Sequence, residues 1–163
     1  MSDPISKFFN DYPAKNFPDY PKFTFTQDPD WRQQGPFESL HMHLGWDQSQ
    51  RDEALVEFEL ARWDFVVELF SHEKSLPNYQ ELCEDLEIYP VPEGVNQCKI
   101  ELKKLHVNLV DVIQYRWDRQ EGRGTRRVEK FRSRDLAKQA AEEDGKFVSA
   151  DIGKIGVLRH LLG

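Results

Sequence analysis

Little cysteine, no long apolar run and no internal repeat: these absences narrow the possibilities first. The chain has two cysteines, Cys83 and Cys98, where a small secreted scaffold would carry several disulfides. No apolar run approaches the ~18–20 residues that a membrane-spanning helix needs, so no membrane span is expected. The start, Met1-Ser2-Asp3-Pro4-Ile5-Ser6-Lys7, lacks the basic residues and apolar stretch of a secretory leader. A reducing compartment, cytoplasm or nucleus, is the expectation, with both thiols acting as small buried hydrophobes. At 163 residues the chain has the size of a single domain and can bury a core without disulfides or metal.

Charge is plentiful but unevenly placed. Residues 1–115 carry 10 Lys and Arg against 21 Asp and Glu, a balance of −11. Residues 116–138 carry 9 against 4, a balance of +5. The last 25 residues are close to neutral, and the whole chain stands at −7. An acidic body with one basic segment is a polarised molecule. The 20 aromatic side chains, 11 of them Phe, would dominate the buried area and argue against wholesale disorder.

Residues 1–36 combine proline with large rings, including Phe8, Phe9, Tyr12, Pro13, Phe17, Pro18, Tyr20, Pro21, Phe23, Phe25 and Trp31. Repeated proline opposes a regular helix, so this stretch is expected to be an extended aromatic arm wrapped on a helical core. Its alternating Lys22-Phe23-Thr24-Phe25-Thr26 suits a short strand. Beyond it, helical periodicity takes over. A first helix is expected over 36–44, with Phe37, Leu40 and Leu44 on one face and Gly45 as its stop. A second runs over 49–71 with two apolar stripes, one of Leu55, Phe58, Phe65 and Leu69, the other of Val56, Leu60, Trp63, Val67 and Phe70. An apolar surface of that width predicts the middle of a bundle. A short helix over 77–86 follows, then a breaker at Tyr89-Pro90-Val91-Pro92-Glu93-Gly94. Val95, Cys98, Leu102, Leu105, Leu109 and Val112 form a heptad-like seam. The seam favours one helix over 95–117, the alternative being a new helix capped by Asn108. Ser133 reads as the N-cap of a helix over 134–143 that Gly145 ends. Ile152, Ile155, Leu158, Leu161 and Leu162 predict a last helix over 149–162, weakened by Gly153 and Gly156.

Few motifs carry chemistry. His41-Met42-His43 would place its two imidazoles on different helix faces, and no Cys or carboxylate spacing completes a site, so no metal and no cofactor are expected. Cys98 with His106 or His72 makes a poor thiol dyad, because an apolar seam raises a thiol pKa. Gly122-Arg123-Gly124-Thr125 lacks the Gly-Lys-Ser/Thr of a phosphate loop. The abundant carboxylates read as solvated helix faces. The basic stretch is the informative feature, with Arg116, Arg119, Arg123, Arg126, Arg127, Lys130, Arg132, Arg134 and Lys138. Arginine suits planar contacts with carboxylate or phosphate. Three partners are open: the protein's own acidic body, an acidic protein, or nucleic-acid backbone with Phe131 as a lone stacking ring. The C-terminal Ile/Leu stripe packs back on the domain, or fits a partner groove or a membrane surface, though its polar face of Lys154, Arg159 and His160 is thin for a membrane binder.

Several signatures occur together: Phe37-Glu38-Ser39-Leu40 before Gly45-Trp46, Leu82-Cys83, His106-Val107-Asn108-Leu109-Val110-Asp111, and Gly145-Lys146-Phe147 leading to Gly153-Lys154-Ile155-Gly156-Val157-Leu158-Arg159-His160-Leu161-Leu162. In these the chain resembles a group of small fungal proteins without assigned function, over roughly residues 8–162. It departs from them at Gly153, where the group has alanine. The resemblance implies no activity and carries over no residue roles.

The sequence is therefore expected to encode an all-α fold, an irregular bundle organised as one structural domain. Residues 1–36 would be the arm, 37–119 a core of about four helices, 120–132 a basic linker and 133–163 a helical extension. The expected function is a non-catalytic, intracellular protein–protein interaction module for an acidic protein partner, with Arg123, Arg126, Arg127, Lys130, Arg132 and Arg134 as binding residues. The alternatives are a nucleic-acid-binding accessory protein using segment 116–138 and a small enzyme with an acidic cleft.

Overall fold

A computed structural model describes residues 3–146, 149 and 151–161. Phe147 and Leu162, part of the C-terminal sequence signature, lie outside the described residues. The fold is all-α: among the described residues there are seven α-helices, two 3-10 helices and no strand. The chain divides into two compact units, residues 1–65 and 66–163.

The first unit corrects the reading of its N-terminus. Instead of an extended arm, Pro4–Asn16 forms helix α1. Pro4 stands where a missing N–H costs nothing. Asp3 caps the helix by accepting from the Ser6 backbone N–H at 2.9 Å. Pro13 lies inside α1 near its end, and the helix closes one turn later with Phe17 N–H donating to the Pro13 carbonyl at 2.8 Å. Pro4 falls in the first turn and loses no helical bond, whereas Pro13 gives up the bond to the Phe9 carbonyl and the helix ends within one turn of it; the apolar spacing of Ile5, Phe8 and Phe9 favours the helix over the extended arm.

Residues 17–33 form neither helix nor strand, so the strand expected at 22–26 is absent. They still pack by their rings: Phe25 stacks on Phe9 at 4.4 Å between centroids, and Phe23 lies 6.2 Å from the same ring. Helix α2, Gln34–Leu44, and the start of helix α3, Gln48–Phe70, complete the unit. Its centre is a ring cluster in which Phe58 of α3 stacks on Phe37 of α2 at 4.8 Å and meets Phe8 and Phe9 of α1 at 5.4 and 5.7 Å. Arg62 is drawn into the same region. It is buried, its guanidinium sits 4.9 Å from the Trp31 ring, and it pairs with Glu59 at 2.7 Å. The two stripes of α3 do not share one fate. Phe58 and Phe65 are buried, but Val56 and Leu60 are 60% and 53% exposed.

The second unit holds the end of α3, then α4 (Leu76–Asp85), α5 (Val95–Lys103), α6 (Leu109–Gln120), α7 (Arg134–Asp144) and 3-10 helices over Ile152–Lys154 and Gly156–Leu161. Helix α4 packs on α5 and α6, and the second 3-10 helix packs on both α4 and α5. The core is mainly aliphatic, with Leu82, Leu86, Leu102, Val112, Ile113, Ile155 and Leu158 buried beside Cys83, Cys98 and the rings of Phe70, Tyr79 and Trp117.

Two expectations change here. The seam from Val95 to Val112 is not one helix. Helix α5 ends at Lys103, and Asn108 takes extended backbone (φ −88°, ψ 123°) as the N-cap of α6. The break frees backbone groups that are used elsewhere: the His106 carbonyl accepts from the Phe131 N–H at 2.8 Å. The C-terminal stripe forms two 3-10 segments rather than one α-helix, because Gly156 adopts φ +47° and its backbone abuts Ser71. A Cβ on residue 156 would lie 2.2 Å from the Ser71 carbonyl oxygen.

Candidate interaction surfaces

The basic segment begins inside the second unit. Arg116 and Arg119 stand one turn apart on α6, facing Glu81 and Asp85, which are one turn apart on α4. Arg116 and Asp85 are each 3% exposed. Arg116 Nε donates to Asp85 Oδ2 at 2.6 Å, and its Nη1 donates to the Leu69 carbonyl at 3.1 Å. The guanidinium carbon lies 4.3 Å from the Phe70 ring centroid. Arg119 bridges both acids, reaching Glu81 at 2.6 Å and Asp85 at 3.1 Å. Burial raises the Asp85 carboxyl pKa, and the two guanidiniums pull against that rise. These two arginines hold α6 to α4.

Past Gln120 the chain leaves the helix and runs as a strap without regular structure to Ser133. Arg123 folds back: its Nε donates to Asp118 at 2.8 Å and its guanidinium lies 4.1 Å from the Trp117 ring. Arg127 is 75% exposed and ion-paired to Glu87. Val128 is buried and Phe131 is half-buried, so the strap is pinned at 128 by its side chain and at 131 by the bond to His106. Between the pins a shallow groove of about 420 Å³ is lined by Arg127, Val128, Glu129 and Lys130. Ser133 then caps α7, its hydroxyl accepting from the Leu136 N–H at 3.2 Å.

The six candidate binding residues therefore separate into two sets. Arg123 and Arg127 are engaged within the chain. Arg126, Lys130, Arg132 and Arg134 are exposed and make no ion pair among the described residues. Arg134 is the first residue of α7, where a cation opposes the helix dipole.

A second cationic surface was missed at the sequence level. Tyr79 of α4 is fully buried, and its hydroxyl lies 2.8 Å from His160 Nε2. Burial lowers the His160 pKa, and so do the nearby charges of Lys99, Lys103, Arg159 and Lys74. Lys99 Nζ lies 5.8 Å from the Tyr79 ring centroid. None of these four cations has an ion pair among the described residues. The groups come from four places in the chain, so no local motif announces them. The one sequence signal was the His160 and Arg159 polar edge on the C-terminal stripe.

The thiols sit together in the core. Cys83 is pushed up to about 12 by burial and by its neighbour Cys98. Cys83 is therefore no poised nucleophile. Cys98, also buried, lies 3.7 Å from the Pro92 carbonyl. Among the described residues, no three His, Cys, Asp or Glu side chains converge on one point, and no helix is long and apolar enough to cross a membrane. In the first unit, a groove of about 460 Å³ is walled by rings and prolines including Phe9, Pro13, Phe17, Pro18 and Tyr20.

Among known proteins no family model, no curated protein and no solved structure matches the chain.

Proposed function

We propose that the chain is a non-catalytic interaction module of the cytoplasm or nucleus, and that its strap binds an acidic segment of a partner protein. The observation that carries this reading is the set of exposed cations with no ion pair among the described residues, Arg126, Lys130 and Arg132 on a strap pinned at Val128 and Phe131, and Arg134 at the start of α7. Pinning matters because a strap already ordered gives up less conformational entropy on binding. Arg123 and Arg127 support the same surface indirectly, by holding the strap to Trp117, Asp118 and Glu87. Phosphate backbone would meet the same cations. The acidic-peptide reading is preferred because Phe131, the ring available for base stacking, is half-buried and tied to His106.

The test compares a glutamate-rich peptide with single-stranded RNA of equal charge, binding the wild type and the variant Arg126→Ala/Lys130→Ala/Arg132→Ala/Arg134→Ala. Exposed ion pairs contribute about 0.5 kcal/mol each. The four changes together should weaken peptide binding about thirtyfold. Tighter binding of RNA, with a steep loss on adding salt, would transfer the site to nucleic acid. Equal peptide affinity in both proteins would remove the strap as the binding surface.

A further inference from the structure

We propose that the cations gathered around the Tyr79–His160 pair form a binding site for a phosphomonoester dianion, separate from the strap. His160 is held in place by its element and by one buried side chain. It lies in the second 3-10 helix, which packs on α4 and α5. Its Nε2 is taken by the hydroxyl of Tyr79, a side chain with no exposed surface, and the two rings lie 5.3 Å apart. With the Tyr79 hydroxyl donating to Nε2, the neutral ring carries its proton on Nδ1, and Nδ1–H is the donor left for a ligand.

Around this fixed donor stand cations from two elements and one loop. Lys99 and Lys103 stand one turn apart on α5, Arg159 precedes His160, and Lys74 comes from the loop before α4. Like charges this close repel one another, and among the described residues no ion pair offsets them. The contrast with the other basic region is informative. There Arg116, Arg119, Arg123 and Arg127 are all neutralised by carboxylates of the same unit. Here the fold brings four positive charges to one imidazole, and none of them makes an ion pair among the described residues.

The chemistry of the set favours phosphate over carboxylate. Three lysines and one arginine are mostly compact point charges, which suit a small ion of high charge density. A phosphomonoester carries about −1.5 to −2 charges at neutral pH and three acceptor oxygens. That matches several cations and one N–H donor better than a single carboxylate does. A bound dianion also reverses the field at His160. The cations disfavour its protonated form in the empty site, and the ligand offsets them, so the imidazole pKa rises on binding.

The site is read through His160 itself, by following its imidazole NMR resonances while inorganic phosphate is added at constant ionic strength. The expected result is a saturable shift of these resonances, with the His160 pKa raised in the bound state. Lys99→Met/Lys103→Met, which removes two exposed or half-exposed side chains, should weaken binding about tenfold or more. A phosphoserine peptide and a nucleoside monophosphate are then compared with phosphate. Tighter binding of the peptide assigns the dianion to a modified protein, and tighter binding of the monophosphate assigns it to a small metabolite. If chloride at the same ionic strength moves His160 as far as phosphate does, the site does not exist. Unchanged phosphate affinity in a folded Lys99→Met/Lys103→Met variant would overturn the assignment equally.

Discussion

Removing the Asp85 carboxylate is the sharpest test of how the second unit is held together. Arg116 is 3% exposed, and Asp85 accepts from its Nε at 2.6 Å. In Asp85→Ala the guanidinium keeps the Leu69 carbonyl at 3.1 Å, Glu81 at 3.6 Å and the Phe70 ring at 4.3 Å. It loses the only buried anion among the described residues. A buried charge left without its partner typically costs about 3–5 kcal/mol. For a chain of this length that corresponds to a fall of roughly 6–20 °C in the unfolding midpoint. The double variant Asp85→Leu/Arg116→Met replaces both charges by apolar groups of similar size. It should recover most of the loss, because the penalty comes from the orphaned charge and not from a missing attraction. Urea unfolding followed by far-ultraviolet circular dichroism measures both changes. The reasoning fails if Asp85→Ala costs less than about 1 kcal/mol, the range of a surface ion pair, or if the double variant is as unstable as the single one.

Three further outcomes follow from the same packing. Gly156→Ala should destabilise the protein by at least about 2 kcal/mol, because its Cβ would lie 2.2 Å from the Ser71 carbonyl at φ +47°; urea midpoints check this. Ser133→Ala removes the cap of α7 and should cost about 1 kcal/mol, read as faster amide exchange of residues 134–144. His160 is held with a lowered pKa, so the unfolded chain takes up its proton more readily than the folded one. Stability should therefore fall as pH drops below about 6.5, and His160→Gln should flatten that dependence in thermal unfolding measured across the range.

Much of the fold is written locally. Ser133 and Gly145 mark both ends of α7 because capping is a short-range affair: the hydroxyl reaches Leu136 N–H, and Gly145 takes the left-handed backbone that ends the helix. Helix α3 is equally plain from its apolar spacing. The misreadings share one cause, a side-chain pattern that does not record the path of the backbone. Leu102, Leu105 and Leu109 keep a helical rhythm across residues 104–108, yet the chain leaves the helix there and re-enters at Asn108. Prolines at 4 and 13 look like breakers until their positions within α1 are known. Ile152, Ile155 and Leu158 keep the spacing of an α-helix, but a neighbouring carbonyl leaves no room for a side chain at 156. The two cationic surfaces differ in the same way. The strap is contiguous, so composition alone finds it. The His160 surface joins residues as distant as Lys74 and Arg159, and only packing brings them together.

The meeting of Gly156 with Ser71 has a consequence for how the chain can change in length. One residue gained or lost in the first 3-10 helix would bring Ile155 or Val157 opposite the Ser71 carbonyl, where neither has space. That part of the sequence is locked against insertion and deletion as firmly as against substitution. Residues 124–127 of the strap, exposed and ahead of the pin at Val128, are under no such constraint. Doubling a flexible loop costs only about 0.6 kcal/mol. Variation in length among descendants of this chain should collect in the strap and stop short of Gly156.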